Sequence, residues 1–81
     1  MKKEEIFKIV QDIIREVIGD SKIDIKRATT PNDITKWDSL NHALIIDKIE
    51  KQFNVKFDLF EIMELESVEN FVLAISGKLN A

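Results

Sequence analysis

Residues 37–53 read WDSLNHALIIDKIEKQF, and this stretch decides the fold. From Ser39 onward, Leu40, Ala43, Leu44, Ile46, Ile49 and Phe53 recur at steps of three and four. That spacing places them largely on one face of an α-helix. Ile45 broadens the stripe, and Asp47, Lys48, Glu50 and Lys51 take the rest of the surface. Asp38 suits the N-cap, because its carboxylate can accept from the free N–H groups of the first turn. The reading is a helix from Ser39 to Phe53, with Leu40 anchoring its first turn in the core.

Working outward, Lys3 to Ile18 shows the same period. Ile6, Phe7, Ile9, Val10, Ile13, Ile14, Val17 and Ile18 mark a first amphipathic helix, and Gly19 is its natural stop. Residues 20–38 lack helical period and hold the polar cluster Thr29-Thr30-Pro31-Asn32-Asp33. A loop this long in a small chain serves a function or holds local structure. Ile23, Ile25, Ala28, Ile34 and Trp37 are spaced to pin it to the core. Trp37 in particular reads as a packing anchor, since large aromatics contribute mainly buried area.

Beyond the extended connector 54–57, Asp58-Leu59-Phe60-Glu61 has the spacing of a capping box. It predicts a short helix of about two turns carrying Leu59, Phe60, Ile62 and Met63. Ser67 caps a last helix bearing Val68, Phe71, Val72, Ile75 and Leu79. The expected fold is all-α: a four-helix bundle of three longer helices and one short helix, with a long loop between helices one and two. Residues 1–81 read as a single domain.

Composition narrows the chemistry. The chain has 81 residues, a net charge of −3, one histidine and no cysteine. These leave no disulfide, no thiolate nucleophile and no His-rich metal site. Ile, Leu, Val and Phe make up 29 of the 81 residues, so packing can supply the stability. The bases are interleaved with acids, which argues against nucleic acid. No apolar run reaches the roughly 18–20 residues that span a bilayer, and the first residues do not read as a secretory signal. A cytoplasmic monomer without membrane insertion is expected. Acidity concentrates in Asp58, Glu61, Glu64, Glu66 and Glu69, with Lys78 the one base beyond residue 57.

Ser39 opens a helix directly after a long loop, so its hydroxyl is expected to be exposed. Unpaired N–H groups and the positive end of the helix dipole favour negative charge there. The residues therefore permit a phosphorylated or phosphodiester-linked serine. His42, one turn on, suggests a Ser–His pair. A hydrolase also needs an orienting acid and an oxyanion hole, and neither is visible. His42 reads instead as a surface histidine at a partner interface.

The triplet Asp38-Ser39-Leu40, opening a helix that runs to Phe53 within this four-helix plan, resembles the acyl carrier protein family, including the related peptidyl carrier domains. The resemblance covers essentially the whole chain. It implies that Ser39 is the attachment point of 4′-phosphopantetheine, transferred from coenzyme A by a phosphopantetheinyl transferase that also recognises Asp38. The arm would carry acyl groups as thioesters between acyl-loading and acyl-using biosynthetic enzymes, and the chain itself would not be an enzyme. Leu40, His42, Glu50 and Glu61 are the expected partner contacts.

The family's fatty-acid members usually approach the serine through a glycine and show an acidic second helix. Here the approach is Asp33-Ile34-Thr35-Lys36-Trp37-Asp38, Leu44 and Lys51 stand where acids are common, and Lys48 and Lys51 offset Asp47 and Glu50. These departures point to a specialised pathway. An aminoacyl or peptidyl carrier, and a helical adaptor without a prosthetic group, are the alternatives.

Overall fold

Ile6, Val10, Ile13, Ile14 and Ile18 form the buried face of α1 (Lys3–Ile18) in the computed structural model, which describes residues 1–80. Gly19 ends the helix at φ 81°, and its N–H donates to the Arg15 carbonyl over 2.8 Å. A residue with a Cβ is strained in this left-handed conformation. Three further α-helices follow: α2 (Ser39–Phe53), α3 (Leu59–Met63) and α4 (Val68–Leu79). The order and type of the elements match the expected all-α plan.

Helix α1 is the centre of the bundle and packs against both α2 and α4. Between them lies one core built from α1, the inner face of α2 and the Val68, Phe71, Val72 and Ile75 stripe of α4. Phe57 and Leu65 join it from the segments flanking α3. Each fully buried branched side chain contributes on the order of 1.5–3 kcal/mol relative to exposure. The density of isoleucine therefore replaces the disulfides and metals absent from the composition.

Side-chain burial and hydrogen bonds together hold the long loop: Ile25 and Trp37 enter the core, and Ile23 and Ile34 pack against it. Ile25 is buried, and Gln11 and Arg15 of α1 donate to the carbonyls of Ile25 and Ile23 over 2.7 and 3.0 Å. At the far side, the first N–H groups of α4 have no partner within their own helix. The loop supplies acceptors: Val68 donates to the Thr29 carbonyl and Glu69 to the Arg27 carbonyl, over 2.9 and 2.8 Å. Arg27 returns the contact with an ion pair to Glu69 at 2.7 Å, while its guanidinium stacks over Phe7. Ala28, expected to pin the loop, is exposed. A single 3-10 turn, Pro31–Asp33, folds the middle of the loop, with Thr30 and Asp33 capping each other.

Three expectations need correction. Helix α3 has five residues rather than two turns, because Glu64 leaves the helix so that Leu65 can turn into the core and Ser67 can cap α4. Leu40 does not anchor the first turn of α2; it is 70% exposed, and Ala43 and Leu44 also face outward. The buried stripe is Ile45, Ile46, Ile49 and Phe53. Helix α2 carries apolar residues around most of its circumference, and its packing against α1 buries the arc of isoleucines ending in Phe53. Finally, His42 is not freely exposed. It sits half-buried on the inner arc, against Phe71 of α4.

Candidate functional site

The approach to Ser39 is rigid because Trp37 is only 4% exposed. Its backbone N–H donates to the Ile34 carbonyl over 3.0 Å, and its ring lies 6.3 Å from that of Phe71. The next residue, Asp38, is extended, with φ −92° and ψ −176°, and its carboxylate accepts from the Asn41 N–H over 2.8 Å. Asn41 reaches back with its side-chain amide to the Lys36 carbonyl at 2.7 Å. Core packing on one side and the cap on the other thus fix the peptide that carries Ser39.

Ser39 itself is exposed and is the first residue of α2. Its own N–H and that of Leu40 have no acceptor among the described residues. Beside it opens a groove of about 660 Å³, walled by the Pro31 turn, Trp37, His42 and the Leu65–Glu66 segment. The site therefore joins an accessible hydroxyl, the positive end of a fifteen-residue helix and an adjoining groove. That combination fits a phosphodiester on Ser39 with an extended chain beyond it.

The same geometry removes His42 as a base for Ser39. The indole Nε1–H of Trp37 donates to His42 Nδ1 over 3.0 Å. An indole nitrogen can only donate, so the neutral imidazole keeps its proton on Nε2 and has no lone pair left for a hydroxyl. Burial also holds the His42 pKa below its ordinary value. No group of three His, Asp or Glu among the described residues is placed to bind a metal.

The other expected contacts are spread out. Leu40 is exposed next to Ser39 on the outer face of α2. Glu50, three turns along, is partly buried and accepts from the Phe57 N–H over 2.9 Å, which fixes the connector to α3. Glu61 caps α3 by accepting from the Asp58 N–H at 2.9 Å and pairs with Lys78 at 2.7 Å. The Asp58 hydrogen bond first, and then Lys78, pull the Glu61 pKa down. Sequence reasoning missed the exposure of Leu59, Phe60 and Met63 on α3, which are 68%, 77% and 65% exposed. Four large apolar residues in a five-residue helix cannot all face one core, and that count was the available signal.

No protein-family model matches the chain. A protein named acyl carrier protein from Cyanophora paradoxa is 33% identical over 70 residues, spanning 86% of this chain and 68% of that one. The solution structure of holo acyl carrier protein from Geobacter metallireducens superposes with a TM-score of 0.85 at 34% identity, covering 91% of this chain and 85% of that one. No described helix is long and apolar enough to cross a membrane. Shared sequence over most of both chains, on the same helical plan, shows that this protein belongs to the acyl carrier protein family.

Proposed function

We propose that Ser39 carries 4′-phosphopantetheine and that all 81 residues serve as a single carrier domain for acyl groups. The observation that carries this reading is the exposed Ser39 on the first turn of α2, whose backbone is fixed by the buried Trp37 and the Asp38 cap before it. The solved relative is a holo protein, which supports the same group here. When bound, the group supplies the thiol that holds cargo as a thioester, a function for which the chain has no cysteine. Ser39 presents the attachment oxygen. Unpaired N–H groups of α2 favour the adjoining negative charge, and Asp38 keeps the turn in the shape a transferase reads. Intact mass after incubation with coenzyme A and a phosphopantetheinyl transferase tests this. A single added arm, absent from Ser39→Ala, is expected. No addition with several broad-specificity transferases favours the helical adaptor.

Docking to acyl-loading and acyl-using enzymes is proposed to rest on Leu40, Leu44 and the exposed side chains of α3 more than on acids. Glu50 and Glu61 already hold the fold together, and Lys51 pairs with Asp47 over 2.9 Å on the outer face of α2. A mixed, apolar docking face suits enzymes of a specialised cytoplasmic pathway and a monomeric carrier. Assay with housekeeping fatty-acid synthase enzymes checks it, and efficient loading and elongation there would overturn the specialised reading.

A further inference from the structure

His42 lies one turn along α2 from Ser39 and is the sole histidine of the chain. Its role in packing accounts for Nδ1, which accepts the Trp37 indole N–H, and for the ring, which meets Phe71 edge-on with centroids 5.8 Å apart. It does not account for Nε2. That nitrogen carries the proton and has no acceptor among the described residues, while the ring lines the same groove as Ser39. The charged groups around it are the carboxylates of Asp38 and Glu66; no Lys or Arg lines the groove, and the face turned to α4 meets the uncharged Phe71. His42 is thus the one lining side chain able to take up positive charge. Side chains at i and i+3 on a helix have Cβ atoms about 5–6 Å apart, within reach of a phosphate hung on Ser39.

We propose that His42 is a positioning residue for the group on Ser39, its Nε2–H donating to the phosphodiester and holding the base of the arm against the groove. The proposal rests on the reading of Ser39 as the attachment point. Trp37 is the device that prepares it: by occupying Nδ1 it selects the tautomer with the proton on Nε2, on a ring that lines the groove. Burial disfavours the charged ring, whereas an adjacent diester anion favours it. Loading therefore raises the pH at which His42 titrates. Full protonation puts a second N–H against the indole N–H, so the Trp37 contact is broken in acid.

One histidine and one tryptophan make the signals unambiguous. The test compares apo and phosphopantetheine-loaded protein by imidazole and indole nitrogen NMR across pH, and by phosphorus NMR of the loaded form. On loading, the His42 titration is expected to move up by about one pH unit. A phosphodiester has no second proton to lose near neutrality, so its phosphorus signal should inflect only where His42 titrates. That inflection should vanish in loaded His42→Gln. The comparison of the unaltered chain stands alone if the variant fails to fold. A loaded mass with the His42 titration unmoved and a flat phosphorus signal overturns the positioning role and leaves the carrier reading intact. No loaded mass at Ser39 overturns both.

Discussion

The inner and outer faces of α2 are both apolar and end in opposite environments. Ile45, Ile46, Ile49 and Phe53 are buried, while Leu40 and Leu44 on the other side are 70% and 44% exposed. The inner arc is β-branched and aromatic, and its shape fills the fixed gap to α1. The outer arc is leucine and alanine beside Asp47 and Lys51, and it starts at Ser39. Small α3 repeats the contrast, with Ile62 packed on the core and Leu59, Phe60 and Met63 outside. Exposed leucines beside the exposed Ser39 hydroxyl are the surface on which the proposed docking rests.

The largest expected effect lies on the inner face. Ile49→Ala should cost about 2–5 kcal/mol, read as a drop in the urea midpoint. A loss under about 1 kcal/mol would mean that the inner arc is not the tightly packed one. Asp38→Ala removes the cap between the two faces and should cost about 1 kcal/mol in the same assay. It should also slow loading of Ser39.

Acid should act on the inner face through His42. Its pKa is lowered by burial, so the unfolded chain binds the proton more readily. Its contribution is complete above the unfolded value of about 6.5 and declines as pH falls below that. Glu61, with its pKa lowered in the folded state, keeps its contribution above the ordinary carboxylate range and loses it further into acid. Denaturation midpoints across pH should therefore show a first decline near the histidine range, flattened in His42→Gln, and a second at the carboxylates. A single decline confined to the carboxylate range would refute the half-buried placement of His42.

The smallest stability effect belongs to the outer face. Leu40→Ala and Leu44→Ala should each stay within about 0.5 kcal/mol of the parent. Measured instead by turnover with a partner enzyme, each should lower kcat/KM by about fivefold to tenfold if that face docks. Unchanged kcat/KM in both would leave the outer arc without a role.

The helices were legible because each carries its own punctuation. Asp38, Asp58 and Ser67 cap in the structure as their side chains predict, and Gly19 stops α1 by taking a positive φ. The exposure of Ser39 followed from the same logic, since a first-turn residue after a cap points away from the helix body. The Trp37–His42 hydrogen bond was not legible. Residues 37 and 42 lie on opposite sides of a helix start, and only the packing of both rings on Phe71 brings them together. Pairings such as Arg27 with Glu69 join positions 42 residues apart, and no local pattern announces them.

By itself, the sequence determined where the three longer helices lie, where the short one starts, and that Ser39 opens the second one. Those are properties of short segments, set by side-chain period, capping groups and backbone freedom within a few residues. Tertiary structure alone decided which arc of α2 faces α1, which acids are engaged in the fold, and that His42 turns inward with its Nε2–H left over. Each of these depends on how separate helices meet. A helix that is apolar nearly all round has no preferred face until a partner of definite shape selects one.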